Sequence, residues 1–139
     1  MSEANRAFVR RFWEDLYAHR FDRLEAYFAD DCVYDDVPIP VAKVVGAKAI
    51  RRKLEIGLGK VPSHREDVHR VIADETTVVT EHTEHWCFDE GVVSLPFVSV
   101  QEIRGGKISR WSDYHNIDTL LSAAPAWWME HVTSEWTKV

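Results

Sequence analysis

Three short stretches place ionisable groups beside large apolar side chains at spacings that would put both on one face. In Thr80–Phe88, read as Thr-Glu-His-Thr-Glu-His-Trp-Cys-Phe, strand alternation groups His82, Glu84, Trp86 and Phe88. Glu81, Thr83, His85 and Cys87 take the other face. In Trp111-Ser-Asp-Tyr-His115 the same period groups Trp111, Asp113 and His115. Tyr34 and Asp36 stand two apart on a segment that reads as extended. Between the other two strands, Leu95, Phe97 and Ser99 form a matching face. A charged group set into an apolar wall is costly unless it is paired or functional.

If these faces converge, the chemistry is general acid–base. Asp36, Glu84 and Asp113 around His82 cannot all be ionised without cost, so protons are shared and pKa values move apart. One pocket then supplies a proton acceptor and a proton donor at neutral pH. His82 would hydrogen-bond one carboxylate through each ring nitrogen, and Tyr34 would hold a water or a substrate oxygen. His85 and His115 read as surface or core residues. Taken singly, each candidate also fits a solvated strand or, for Asp35 and Asp36, turn chemistry. His82, Glu84 and Asp113 form no compact metal-ligand motif, so no metal and no cofactor is expected. Cys32 and Cys87 have no activating partner, and neither a nucleophile elbow nor a phosphate-cradling glycine loop occurs.

The elements that must position these residues are legible in outline. Residues 3–20 read as a helix with Phe8, Phe12, Trp13, Leu16 and Tyr17 on one stripe. A second short helix buries Phe21, Leu24, Tyr27 and Phe28. Cys32-Val33-Tyr34 begins an extended segment, and Asp35 to Pro40 is expected as a loop held by two prolines. A third helix covers 47–58, with Ile50, Leu54 and Leu58 inward. Strands are expected at 64–72, 76–88, 92–103 and 107–116, separated by short turns. From Pro125 the tail reads as helical, with Trp128, Val132 and Trp136 at i, i+4 and i+8. Helices followed by a meander predict an α+β fold, with helices covering one face of a curved sheet.

The chain of 139 residues is long enough for one buried core, and its 45% hydrophobic and 29% charged content excludes disorder. A net charge of -6 argues against a nucleic-acid phosphate backbone or an anionic membrane as partner. No apolar run approaches the ~20 residues of a membrane span, and the polar start carries no signal core. A cytoplasmic location is expected. Six Trp, six Phe and four Tyr would fill a core or line a dry pocket for a small apolar molecule.

Three motifs carry a resemblance. Leu24-Glu-Ala-Tyr-Phe-Ala-Asp-Asp-Cys-Val-Tyr34-Asp-Asp-Val-Pro-Ile-Pro40, Thr80-Glu-His-Thr-Glu84 and Gly106-Lys-Ile-Ser-Arg-Trp-Ser-Asp-Tyr114 resemble limonene-1,2-epoxide hydrolases. The wider group is the nuclear transport factor 2-like superfamily, with SnoaL-like polyketide cyclases and ketosteroid isomerases. The likeness runs to about Leu121, so the chain divides into a domain over 1–124 and a Trp-rich helical tail over 125–139. It implies a cone-shaped, cystatin-like α+β barrel with a mixed or antiparallel sheet under three N-terminal helices.

The hydrolases use an Asp-Arg-Asp triad with a Tyr and an Asn. By position, Tyr34 keeps the Tyr and Asp113 the base aspartate; Glu84 stands for the acid aspartate, His82 for the bridging Arg and Asp36 for the Asn. Leu95 and Phe97 match substrate-lining positions; Trp86, Trp111, Phe12 and Ser99 are further expected contacts. Asp36 also falls where ketosteroid isomerases carry their base, whereas Phe12 and Ser99 replace the groups that hold their enolate. The resemblance therefore implies epoxide hydrolysis by Asp113, with Glu84 or protonated His82 as acid and Tyr34 with Asp36 holding water. Isomerisation, dehydration or polyketide-type cyclisation by the same groups is the alternative; a non-catalytic ligand-binding domain is a third. Open sheets of this kind pair through their outer face, so a homodimer is expected.

Overall fold

The computed structural model describes residues 2–39 and 43–139. Helix α1 (Ser2–Tyr17) leads into two 3-10 turns at Phe21–Arg23 and Glu25–Tyr27, then strand β1 (Phe28–Asp36). A two-residue strand β2 (Val44–Val45) and helix α2 (Ala47–Leu58) follow. Strands β3 (Ser63–Ala73), β4 (Thr77–Phe88), β5 (Gly91–Arg104) and β6 (Lys107–His115) form the meander, and helices α3 (Ile117–Ala123) and α4 (Ala126–Trp136) end the chain.

The six strands lie in the order β2-β1-β6-β5-β4-β3, a curved and unclosed sheet. The meander is antiparallel, but β1 runs parallel to β6, so the sheet is mixed. This pairing corrects two expectations. Phe28 begins a strand opposite Ile108 rather than ending a helix, and the expected second helix is two short turns. Phe21 and Leu24 bury at a three-residue spacing that a 3-10 turn satisfies. Asp35 and Asp36 are strand residues, opposite Ser112 and Asp113, and the Val37 amide extends the pairing to the Asp113 carbonyl at 3.0 Å. Pro38 and Ile39 lie in the turn beyond; Pro40 is outside the described residues.

Strand β4 alternates without exception between half-buried and buried side chains, and the buried set includes His82, Glu84, Trp86 and Phe88. The β5–β6 turn is tight because Gly105 and Gly106 both take positive φ (59° and 75°), the geometry of a two-residue hairpin turn. Helix α3 has no counterpart in the sequence reading; the Asn116 side chain caps it by accepting from the Asp118 amide. Helix α4 packs on α2 and against Trp86 and Phe88 of β4. Trp128 is buried and donates its indole N–H to the Gly57 carbonyl at 2.8 Å, and Trp136 donates to that of Lys53 at 3.1 Å. The core joins α1, α2, α4 and the concave sheet face, with Phe12 held edge-on by Trp13, Tyr27, Phe28 and Trp111. Among the described residues, no helix is long and apolar enough to cross a membrane.

Candidate active site

Strands β1, β6, β5 and β4 lie side by side, so their inward residues form rows across the concave face. Asp36 pairs with Asp113, Asp113 with Ser99, and His82 with Phe97. The parallel β1–β6 contact is what sets Tyr34 and Asp36 beside Trp111 and Asp113. The stacked rings of Tyr34 and Trp111, 3.9 Å apart, lock that junction.

Asp113 is the hub. Its Oδ1 accepts from Ser99 Oγ at 2.6 Å and from Trp111 Nε1 at 2.7 Å; its Oδ2 accepts from the Tyr34 hydroxyl at 2.8 Å. Burial, reinforced by the Asp36 charge, pushes its pKa up to about 7, although the Ser99 and Tyr34 hydrogen bonds pull the other way. Burial and Asp113 hold the Tyr34 hydroxyl well above its ordinary pKa, so it remains a donor.

His82 is fully buried under the Trp13 ring, 4.8 Å away. Its Nδ1 meets Glu66 at 2.7 Å, and its Nε2 meets Ser99 Oγ at 2.9 Å. It therefore bonds one carboxylate and one hydroxyl, not the two carboxylates expected. Because the single Ser99 proton goes to Asp113, Nε2 is a donor whenever Asp113 is ionised. Burial opposes charge on the imidazole, but the Glu66 hydrogen bond and the fields of Glu84, Glu66 and Asp113 outweigh it and raise its pKa.

Glu84 does not touch His82 directly. Its Oε2 accepts from the Tyr17 hydroxyl at 2.5 Å and its Oε1 from Trp86 Nε1 at 3.0 Å. Tyr17 also approaches His82 Nδ1, at 3.4 Å. Burial raises the Glu84 pKa despite His82, Tyr17 and Trp86, which favour its charge. The two carboxyl groups are thus spanned by Tyr17, His82 and Ser99. An arginine would bridge such a gap alone; the shorter imidazole needs a hydroxyl on each side.

Asp36 completes the row. His115 Nε2 lies 2.7 Å from its Oδ1, and Lys53 Nζ lies 3.9 Å from its Oδ2. His115, expected at the surface or in the core, is thus a partner of the site. Asp36, Asp113, Glu84, Tyr34, His115 and Lys53 line one cavity of about 50 Å³, with Trp13, Trp86, Phe97, Trp111 and Trp136 among its apolar walls. That is room for a few waters or a very small molecule. Of the expected contacts, Trp86, Trp111 and Phe97 reach the cavity. Phe12 and Leu95 are core residues with no exposed surface, and Ser99 and His82 stand behind Asp113 and Trp13 rather than on the wall.

Tyr17, Glu66 and Lys53 escaped the sequence reading. Tyr17 reads in the sequence only as a member of the α1 stripe. Lys53 lies one position from Leu54 on the buried side of α2, an interruption that flags a buried cation. Glu66 shares an alternation with buried His64. Among the described residues no group of three or more His, Cys, Asp or Glu side chains is placed to hold a metal ion.

Comparison with known proteins agrees with this architecture. Residues 9–111 match the SnoaL-like domain family. Over 109 residues the chain is 30% identical to epoxide hydrolase EphG of Mycobacterium tuberculosis, covering 78% of this chain and 71% of that protein. Among solved structures, an LEH-like epoxide hydrolase from M. tuberculosis superposes with a TM-score of 0.74 at 26% identity, covering 87% of this chain and 84% of the other. A structure from Shewanella putrefaciens CN-32, assigned to the SnoaL-like polyketide cyclases, gives 0.75 at 15% identity over 88% and 96% of the two chains, a likeness of fold alone. With its mixed sheet, its cone-like concavity and this match across most of its length, the chain belongs to the SnoaL-like domain family.

Proposed function

We propose that the protein adds water to small epoxides, with Asp113 as general base. The observation that carries this reading is the carboxyl of Asp113 on the cavity wall, poised near neutrality by burial and held by three donors. Water binds on the cavity side of Asp113, beside the Tyr34 hydroxyl, with Asp36 as a further acceptor. Its oxygen forms a bond to one ring carbon as the carbon–oxygen bond of the epoxide breaks. Asp113 takes the water proton, and Glu84, tipped by burial toward its neutral form, gives a proton to the leaving oxygen. Asp113 then releases its proton and Glu84 takes one up, each by exchange with solvent, which restores both carboxyl groups. The likeness to epoxide hydrolase from M. tuberculosis, in sequence and in structure, supports the reaction class. A panel of small epoxides assayed for diol formation tests it; no turnover above that of Asp113→Asn overturns it.

A second reading draws on Asp36. It lines the cavity, bonded to His115, where carbon-acid chemistry would need a base, so isomerisation or cyclisation of an enone-like ligand is the alternative. Deuterium exchange from solvent into such a ligand, lost in Asp36→Asn, would favour it over hydrolysis.

We also propose that two copies pair through the outer sheet face, where Val92, Val98 and Tyr114 are exposed. A monomeric mass in sedimentation contradicts this.

A further inference from the structure

The cavity has a cationic end that the water-addition chemistry leaves unused. Lys53 projects from α2 onto the cavity wall with its side chain only 6% exposed. Its ammonium lies 4.8 Å from the Tyr34 ring centroid and 5.6 Å from that of Trp136, so two aromatic faces hold it in place. The closest carboxylate oxygen among the described residues, Asp36 Oδ2, is 3.9 Å away, too far for a hydrogen bond. Asp36 instead takes its short contact from His115. A buried ammonium carries three donors, and Asp36 balances its charge without using them directly.

The sheet order fixes where this donor stands. Asp36 on β1 and Glu84 on β4 flank Asp113, with Lys53 on the β1 side. A ligand whose ring oxygen meets Glu84 and whose reacting carbon faces the water on Asp113 therefore presents its next atoms toward Lys53. The carboxylates of Asp36 and Asp113 line the same space, so a ligand carboxylate would meet more repulsion than one ammonium offsets. A neutral acceptor meets no such penalty. The buried amine is also held below its ordinary pKa by burial, against the pull of Asp36 and Asp113, and this sharpens it as a donor.

We propose that Lys53 binds a carbonyl oxygen attached next to the epoxide, so that the substrates are small neutral epoxy ketones or amides rather than plain hydrocarbon epoxides. This rests on the water-addition reading for the epoxide itself, but the carbonyl subsite is separately measurable.

The experiment compares methyl vinyl ketone epoxide with butene oxide, of the same carbon count, and with an epoxy acid of similar size. The wild-type kcat/KM should favour the ketone by roughly 10–100-fold, the range of a hydrogen bond to a charged donor, and should be lowest for the acid. In Lys53→Met, which keeps the apolar stem, the ketone-to-hydrocarbon ratio should fall toward one. Lys53→Gln, which retains an N–H donor, should keep part of it and serves if the methionine variant does not fold. A parallel arm measures binding of unreactive cyclopentanone and cyclopentane by ligand-observed NMR. The ketone should bind more tightly to wild type, and that excess should vanish in Lys53→Met. Equal preference for ketone and hydrocarbon in wild type, or a preference untouched by Lys53→Met, overturns the subsite. Absence of turnover with every epoxide, while cyclopentanone still depends on Lys53, overturns the hydrolysis and leaves the subsite standing.

Discussion

His82 and Asp113 are joined through a single hydroxyl: Ser99 Oγ lies 2.9 Å from the imidazole Nε2 and 2.6 Å from the carboxyl Oδ1. The serine can hold only one proton, so a shift along this line converts ionised Asp113 and charged His82 into neutral Asp113 and neutral His82. Two acidic sites that exchange a proton in this way titrate as one unit. Ser99→Ala cuts the line and removes a donor from Asp113. We expect kcat to fall roughly 10–100-fold, up to the lower edge of the general acid–base range, because the base itself remains. The acid limb of the rate profile should move to higher pH, because the Ser99 hydrogen bond lowers the Asp113 pKa. An unchanged profile would show that the serine is only packing.

The raised pKa of Asp113 has a cost in stability. The folded chain holds this proton up to about pH 7, whereas an ordinary aspartate releases it near 3.8. Between those values the folded state binds more protons than the unfolded state, so stability through this group falls as pH rises and levels off above about 7. Asp113→Asn keeps an acceptor for Ser99 and Trp111 but carries no charge. Its thermal stability should exceed that of wild type at alkaline pH by on the order of 2–4 kcal/mol, and the gain should disappear toward the pH of ordinary aspartate ionisation. A constant difference across that window, read by melting at several pH values, would contradict the burial argument.

Glu66 is the partner that lets a fully buried imidazole carry charge. In Glu66→Gln, burial should prevail and the His82 pKa should fall, a shift that the imidazole C–H resonances report in an NMR titration. The pH dependence runs in the same direction as that of Asp113, because folding raises both pKa values. A histidine whose pKa is raised by folding stabilises fully below its unfolded pKa, and that contribution is lost as pH rises through the folded value. The variant should therefore lose more stability in mildly acidic than in alkaline solution. Equal losses at both would assign Glu66 a packing role alone.

Trp136 and Gly57 meet across the α4–α2 contact. A methyl placed on Gly57 would lie 3.0 Å from the Trp136 ring, closer than ordinary packing allows. Gly57→Ala should push Trp136 off the cavity wall and away from Lys53. Trp136→Ala should remove that wall and destabilise by about 2 kcal/mol, below the range for a fully buried tryptophan. Both variants should accept bulkier epoxides than wild type, measured as the ratio of kcat/KM for a cyclic over an acyclic substrate. An unchanged ratio would place the tail outside substrate selection.

Much of the site was legible from period alone. Alternation put His82 and Glu84 on the buried face of β4, and it put Trp111, Asp113 and His115 together on β6, because a strand has only two faces. The resemblance supplied Tyr34 and Asp36 with roles, but not the parallel β1–β6 register that brings them to Asp113, since a pairing across more than seventy residues leaves no local trace. The partners that give His82 and Glu84 their character were hidden for the same reason. Tyr17 comes from α1 and Glu66 from β3, and each looks locally like an ordinary stripe or strand residue. Two acidic residues just before a proline favour a turn, but the pairing of Asp35 and Asp36 to β6 overrides that local preference.

The central claim is that Asp113 activates water against an epoxide. The direct measurement is diol formation from small epoxides by wild type and Asp113→Asn across about pH 5 to 9. The account predicts a wild-type rate that rises through about pH 7, and a loss of roughly 10²–10⁴-fold in a folded Asp113→Asn. Diol formation that persists undiminished in Asp113→Asn, or that shows no acid limb near neutrality, would contradict it.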